Sequence, residues 1–188
     1  MSDDFRNYIQ FYGIKPEDWT TTWGGNTWEY FLVRDYISDA ASCASYTTWA
    51  DCTGELKFIY PHNIKKKYVL EGVCQGCITF YASTATSWVS YYCVTIMKRN
   101  EDTSEVVLAT TGNVNVNRKL EYNSVWGVGE DIAFPFWIDA FESTNEISEN
   151  DRIMCRIEWN ATSGASAALM HDNDPQYDDL NIEMGFLM

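Results

Sequence analysis

Two cysteines separated by two residues are the first feature of this sequence that could do chemistry. Cys74 and Cys77 have the spacing of a redox dithiol or of half a zinc site. A redox dithiol of the thioredoxin type needs its first cysteine at a helix N-terminus, where the helix dipole lowers the thiol pKa, but strand-like sequence flanks this pair. Zinc would need Cys43 and Cys52 as well, and their wider spacing is unlike a second zinc knuckle. We therefore interpret Cys74 and Cys77 as core or turn thiols, with structural zinc as the alternative.

An acidic stretch near the C-terminus holds the densest group of potential metal ligands. Its members are His171, Asp172, Asp174, Asp178 and Asp179. Oxygen-rich loops bind calcium, but this stretch lacks the glycine at position six and the closing glutamate of an EF-hand loop. We interpret it as a solvated acidic turn, with bound calcium as the alternative, and we expect no cofactor.

Recognisable catalytic motifs are missing from the sequence. The two histidines, His62 and His171, lie in no nucleophile or metal-base motif. No nucleophile elbow, P-loop or dinucleotide-binding run occurs either. Paired carboxylates that hydrolyse sugars would escape such a search, because their separation in space is not written in the sequence. We therefore predict that the chain is not an enzyme, and a sandwich enzyme acting on glycans ranks below the other hypotheses.

The charge of the chain bears on its partners. There are 27 acidic and 13 basic residues, which gives a formal net charge of −14. Nucleic-acid binding depends on Lys and Arg that neutralise phosphates, so we expect neither nucleic acid nor an anionic membrane as partner. The opening residues lack the order of a secretory signal. We therefore expect a protein made in a reducing cytoplasm, with free thiols such as Cys93 and Cys155.

From about residue 56 onward, apolar residues recur with a period of two. The alternation is clearest over 132–138, 153–159 and 180–188, and it is typical of half-buried strands. No helical pattern of a length suited to crossover helices separates these runs, which argues against a parallel sheet with crossover helices. The sequence therefore predicts an all-β fold, an antiparallel β-sandwich of jelly-roll type over residues 56–188.

The first 55 residues have a different texture. Phe5, Tyr8, Ile9 and Tyr12 follow helical spacing, and a second helical set follows Asn26. Segments shorter than about 12 to 15 residues are not stable as isolated helices. We therefore predict that residues 1–55 form an N-terminal arm of short helical or irregular segments, which serves in docking or oligomerisation.

Two groups of tryptophans are candidates for binding. Aromatic anchors dominate protein interfaces, and the predicted arm carries Trp19, Trp23, Trp28 and Trp49. We predict that these four contact a partner; the alternative is that the arm packs back on its own sandwich. A second group lies outside or opposite the predicted core face: Trp88, Trp126 and Trp137. If the domain binds carbohydrate, these three would stack on sugar rings.

The C-terminal third carries a recognisable succession of segments. They read IAFPFWID over 132–139, DRIMCRIEW over 151–159, ALMHDNDP over 168–175 and LNIEMGFLM over 180–188. This succession resembles jelly-roll structural proteins of tailed-bacteriophage virions, and it is similar in kind to capsid decoration (auxiliary capsid) and head-fibre proteins. The likeness covers about residues 68–188, and its His-Asp-Asn-Asp-Pro segment is longer than the His-Asp-Pro of such proteins.

The resemblance implies a function for the whole chain. It implies a non-enzymatic structural protein of a viral particle, in a virion assembled in the host cytoplasm. It further implies a homotrimer whose N-terminal arm attaches to the major capsid protein or another virion protein. The alternative function is a carbohydrate-binding β-sandwich module, including one that binds host glycans from a virion.

Overall fold

The computed structural model describes residues 6–14, 20–23, 26–28, 30–34, 47–50, 53–82, 88–119, 122–123, 128–129, 131–140, 145–161, 167–170 and 180–187. Every regular element within these ranges is a β-strand. The predicted all-β fold class is therefore confirmed. The same ranges contain no candidate for a membrane-spanning helix.

The strands are numbered in chain order. They are β1 (Arg6–Ile14), β2 (Thr21–Trp23), β3 (Asn26–Trp28), β4 (Phe31–Val33), β5 (Thr47–Ala50), β6 (Thr53–Ile59), β7 (Tyr68–Leu70), β8 (Gly72–Ala82), β9 (Trp88–Arg99), β10 (Glu105–Thr110), β11 (Val114–Lys119), β12 (Tyr122–Asn123), β13 (Val128–Gly129), β14 (Asp131–Ala140), β15 (Glu146–Ile147), β16 (Arg152–Ala161), β17 (Ala167–Met170) and β18 (Asn181–Leu187).

Fourteen of these strands form one curled sheet. Its main path runs β10-β9-β16-β6-β4-β1-β18-β8-β17-β5. β11 also pairs with β9, β14 pairs with β8, and β7 pairs with both β15 and β18. Among the described strands, the single parallel pairing joins β4 to β6, at Phe31 and Ile59. The path therefore has two antiparallel halves, β10 to β6 and β1 to β5, which are joined through β4.

The two halves face each other across one hydrophobic core. Phe58, Val94 and Ile157 from one half and Phe11 and Ile182 from the other belong to the same buried cluster. Full burial of one such side chain contributes about 1.5 to 3 kcal/mol. The predicted sandwich is therefore confirmed, and its architecture is jelly-roll-like.

Trp159 and Phe80 connect the two halves directly. Their ring centroids are 5.8 Å apart, and Trp159 is fully buried. The indole lies over Gly54, which faces Trp159 across the pairing of β6 with β16. A β-carbon at Gly54 would clash with the ring, so the glycine is required for this close approach.

Residues 6–14 form strand β1, which corrects the prediction of a helical turn from the spacing of Tyr8, Ile9 and Tyr12. β1 pairs with β18 along its length, from Arg6 opposite Leu187 to Tyr12 opposite Asn181. These interstrand hydrogen bonds satisfy the backbone without a helix, and extension lets β1 bury a row of side chains in the core. Pairing with distant strands thus overrides the local pattern.

The helical segment predicted after Asn26 is wrong for the same reason. Residues 26–28 and 31–33 are the short strands β3 and β4. β3 pairs with β2, and β4 pairs with β1 and β6. Their backbone partners lie in other strands rather than one helical turn away.

The described part of residues 1–55 is built into the sandwich. β1 and β4 lie between β6 and β18 in the sheet order, and β5 pairs with β17. The strands of residues 56–188 therefore do not make a complete sheet without these segments. The boundary at residue 55 and the docking role of residues 1–55 remain predictions.

Candidate functional site: an open sheet face around Trp137

Trp137 is the most exposed large apolar side chain in the described part of the chain. It lies on β14, where Phe136 and Ile138 point into the core. The alternation of a strand turns Trp137 to the opposite side, and 70% of the residue is accessible to solvent. Scattered exposed apolar residues are normal on proteins, so the surroundings of Trp137 decide whether it marks a site.

A row of polar side chains continues from Trp137 across three further strands. Trp137 faces Gln75 on β8, Gln75 faces Glu183 on β18, and Glu183 faces Gln10 on β1. Neighbouring strands are about 4.8 Å apart. The register therefore aligns an indole, two amides and a carboxylate on one face of the sheet.

A second row runs beside the first. Pro135 faces Cys77, Cys77 faces Asn181, and Asn181 faces Tyr12. Members of both rows line a shallow depression of about 390 Å³. We call this surface the Trp137 face and define it by seven lining residues: Gln10, Gln75, Cys77, Pro135, Trp137, Asn181 and Glu183.

Two hydrogen bonds hold the Trp137 face in place, one at its centre and one beneath it. The Gln75 Nε2 amide donates to Glu183 Oε1 at 2.9 Å. Beneath the face, the Tyr92 hydroxyl donates to the Pro135 carbonyl at 3.1 Å, which ties β9 to β14 across the sandwich. Burial raises the pKa of Tyr92, so this hydroxyl keeps the proton that it donates.

The arrangement is suited to binding a polyhydroxylated ligand. An exposed indole offers a flat apolar surface with a polar edge, and amide and carboxylate groups together offer hydrogen-bond donors and acceptors to hydroxyls. A rigid sheet holds these groups at fixed spacing. The Trp137 face therefore places an exposed apolar ring beside the hydrogen-bonding groups of Gln75 and Glu183.

The other predicted tryptophans are placed differently. Trp28 is 8% exposed, packs in a cluster with Phe31, and has the Arg99 guanidinium 5.4 Å from its ring centroid. It therefore packs on the protein's own sheet.

The backbone of three other predicted tryptophans lies in described strands, while their side chains lie outside the described part. These are Trp23 on β2, Trp49 on β5 and Trp88 on β9. Trp19 and Trp126 lie outside the described residues.

The structure places the thiols of Cys74 and Cys77 on opposite sides of β8. Cys74 is buried in the core, whereas Cys77 lines the Trp137 face. Residues three apart in a strand point to opposite faces, so one metal ion cannot bind both thiolates. Burial raises the pKa of Cys74 to about 11 and raises the pKa of Cys155 as well. Both groups therefore stay protonated near neutral pH, as core thiols do.

The remaining candidate ligands give no metal site in the described ranges. No group of three or more His, Cys, Asp or Glu there could hold an ion. Cys43, Cys52 and the acidic stretch 171–179 lie outside the described residues, so the calcium alternative remains a prediction. His62 is exposed and makes an edge contact with Tyr60, at 5.3 Å between ring centroids.

Sequence reasoning selected Trp137 but missed the residues around it. Gln75, Glu183 and Gln10 come from strands that are far apart in the chain and meet only through the register of the sheet. The alternation of each strand predicts which residues face outward. It does not predict which strands are neighbours.

Comparison with known proteins shows similarity of fold only. No family model and no curated protein matches the chain. A CocE/NonD family hydrolase from Staphylococcus aureus has a TM-score of 0.59 and 12% identity over 97% of this chain and 37% of the hydrolase. An aminopeptidase from a marine sediment archaeon, Thaumarchaeota archaeon, has a TM-score of 0.50 and 9% identity over 71% of this chain and 26% of the aminopeptidase.

A weaker match is the structure of a virus. The structure of infectious bursal disease virus matches with a TM-score of 0.33 and 14% identity, over 97% of this chain and 36% of the viral chain. A score at this level carries no argument about function. The chain spans little more than a third of the length of these viral and hydrolase chains.

The prediction that the chain is not an enzyme is contradicted by these comparisons. The structures with TM-scores of 0.59 and 0.50 are those of a hydrolase and an aminopeptidase. The prediction rested on the absence of local catalytic motifs from the sequence. Catalytic groups that come together from distant strands leave no such motif. At 12% and 9% identity the similarity concerns the fold alone. Most of the hydrolase chain has no counterpart in this chain.

Proposed function

We propose that this chain is a structural subunit of a viral particle, with its β-sandwich displayed on the capsid. One observation carries the proposal. The segments that resemble jelly-roll virion proteins of tailed phages form β14, β16 and β18, which all contribute to the core of the sandwich. The proposed assembly is a homotrimer bound to the major capsid protein.

Attachment to the capsid is proposed to use residues 1–55. β1 pairs with β18 over residues 6–12 and with β4 over residues 12–14, and β4 also pairs with β6 at Phe31. These pairings build β1 and β4 into the sheet, so the proposal assigns attachment to the rest of that region. Trp19, Trp23 and Trp49 are the proposed anchors, because large aromatic side chains dominate interfaces.

The location of the chain in particles tests this proposal. Particles are purified from the host that carries the gene, washed at high salt, and labelled with antibodies raised against the purified chain. We expect regular surface label and chain that sediments with the particles. Unlabelled particles, with the chain confined to the soluble fraction, would contradict the proposal.

A second candidate function, glycan binding, is favoured by the exposure of Trp137. An indole that is 70% exposed begins a row of amide and carboxylate groups, a composition that suits a sugar ring. Trp88 and Trp126 remain candidates for the same function. The two candidate functions are compatible, since a virion projection is able to bind host glycans.

Replacement of Trp137 tests glycan binding. We expect Trp137→Ala to weaken binding to the glycans recognised by the wild-type chain about thirtyfold, because loss of a central aromatic anchor costs about 2 kcal/mol. The unfolding temperature should stay unchanged, since the indole is exposed. Glycan arrays followed by calorimetry measure the effect.

The control is Val107→Ala, which truncates another exposed apolar side chain, on β10. It should bind the same glycans as the wild type. Equal binding by Trp137→Ala and wild type, or a wild-type chain that binds no glycan, would remove this candidate.

A further inference from the structure

A second cavity lies at one end of the sandwich, away from the Trp137 face. Its volume is about 350 Å³. β1, β7 and β18 line it from one half of the sheet, and β16 and the segment after β6 line it from the other. The cavity therefore opens between the two halves, where the core reaches the surface.

The walls of this cavity are apolar and largely aromatic. They are formed by Ile9, Phe11, Tyr60, Tyr68, Ile153 and Phe186. Phe11 packs edge-on against Tyr60 at 5.6 Å between ring centroids, and Tyr68 packs against Phe186 at 6.1 Å. These contacts hold the aromatic walls in place, so the cavity is formed before any ligand binds.

The rim of the cavity is basic. Arg34, His62 and Lys65 are exposed on it, and no carboxylate is among the described lining residues. In a chain of formal net charge −14, two cationic side chains, Arg34 and Lys65, around one opening form a local exception. Two described carboxylates of the neighbouring segments are paired with other lysines, Glu146 with Lys67 and Asp151 with Lys98.

The segment that carries the rim is fixed to the body of the protein. The Ile64 amide donates to the Asp151 carbonyl at 3.1 Å, and the Asn150 amide donates to the Ile64 carbonyl at 3.0 Å. Arg152 Nε donates to Asn63 Oδ1 at 3.1 Å. His62 and Lys65 therefore flank Asn63 and Ile64, two residues that are hydrogen-bonded to the start of β16 and to the turn before it.

We propose that this cavity binds a small amphipathic carboxylate of the medium-chain fatty acid type. The acyl chain lies between the aromatic walls, and the carboxylate lies at the rim between Arg34 and Lys65. Ligand cavities range from about 300 to 1,000 Å³, and one near the lower limit suits an acyl chain of about ten carbons. Basic groups above an apolar interior are complementary to that shape and charge.

Calorimetric titration of the full chain with sodium decanoate, below its micelle concentration and at low salt, tests the proposal. We expect Lys65→Glu to weaken binding at least about fivefold, as expected for reversal of an exposed charge beside the ligand. Lys66→Glu makes the same change at an exposed neighbour that does not line the cavity, and it should bind like the wild type. Decanol, which lacks the charge, should bind more weakly than decanoate.

Two further measurements test where the chain of the ligand lies. Ile9→Trp fills the cavity from a partly exposed position and should abolish decanoate binding while the protein unfolds cooperatively. In backbone amide NMR spectra of the wild type, decanoate should shift Ile64 and Tyr68 and leave Val107 on β10 unmoved.

Three outcomes would overturn the proposal. They are the absence of binding at millimolar decanoate, equal weakening by Lys65→Glu and Lys66→Glu, and NMR shifts spread over the whole protein. The proposal is independent of the glycan-binding function, because it uses none of the residues of the Trp137 face.

Discussion

At the scale of single residues, Glu105 pairs with two cationic side chains, Lys57 and Arg99. Its carboxylate accepts hydrogen bonds from Lys57 Nζ at 2.9 Å and from Arg99 Nη1 at 2.8 Å. The Arg99 side chain is 5% exposed, so Glu105 provides the counter-charge for a buried guanidinium. A buried charge whose partner is removed is costly.

This environment changes the pKa of Glu105. Burial alone would raise it, but the hydrogen bond and charge of Lys57, together with Arg99, lower the pKa below its ordinary value. A carboxyl whose pKa is lower in the folded state stabilises the fold above its unfolded pKa. That contribution is lost as the pH falls through the folded pKa.

We predict that Glu105→Gln destabilises the protein near neutral pH by about 1 to 3 kcal/mol, because a neutral amide replaces the counter-charge of Arg99. The difference from wild type should shrink as the pH falls below the ordinary glutamate pKa of 4.5 and through the lowered folded value. Urea unfolding across a pH series measures this change.

The control is Glu101→Gln, which removes a carboxylate from the exposed turn between β9 and β10. It should leave the free energy of unfolding nearly unchanged. A pH-independent loss of stability in Glu105→Gln would mean that the carboxylate acts through its shape rather than its charge.

At the scale of elements, β1 decides whether residues 1–55 are dispensable. Its Phe11 is 1% exposed, and the strand lies between β18 and β4. Removal of β1 would expose two strand edges and open the core beside the cavity that Ile9 and Phe11 line. The docking role predicted for the N-terminal region cannot be tested by deleting all of it.

We predict that a chain lacking residues 1–14 does not fold cooperatively. Lost burial of Phe11, Ile14 and their neighbours would cost several kcal/mol, which is comparable with a total stability of about 5 to 15 kcal/mol. Near-UV circular dichroism and thermal unfolding measure the outcome.

A chain lacking only residues 1–5 is the matched control, because it removes none of the described strands. It should unfold at nearly the wild-type temperature. A chain without residues 1–14 that melts as sharply as wild type would show that β1 is an appendage of the sandwich.

At the scale of the whole molecule, the sandwich presents two surfaces of opposite chemistry. The Trp137 face lies on the outer side of one half and carries Glu183 at its centre. The cavity with Lys65 and Arg34 on its rim opens between the two halves. One scaffold therefore holds a flat polar platform and an apolar cavity that opens to solvent, and the proposed ligands differ accordingly.

The similarity to solved structures also concerns the whole molecule. It covers nearly the whole chain but little more than a third of the Staphylococcus hydrolase. A sandwich of this kind is therefore also found as part of a longer chain. Function on such a scaffold depends on its sites rather than on the fold.

The alternation of apolar and polar residues along the chain was enough to predict the all-β class. The period of two in 132–138 and 153–159 predicted β14 and β16, and it placed Trp137 opposite the core side chains of its strand. Such patterns are local, because a strand turns successive side chains to opposite faces whatever its neighbours are.

Which strands are neighbours became evident only from the folded sheet. Helical spacing in residues 8–12 gave way to β1, because pairing with β18 satisfies its backbone and buries Phe11. The row from Trp137 to Gln10 and the basic rim around Lys65 are likewise assembled from segments far apart in the chain. Register and closure depend on long-range contacts, and no local spacing of residues encodes those contacts.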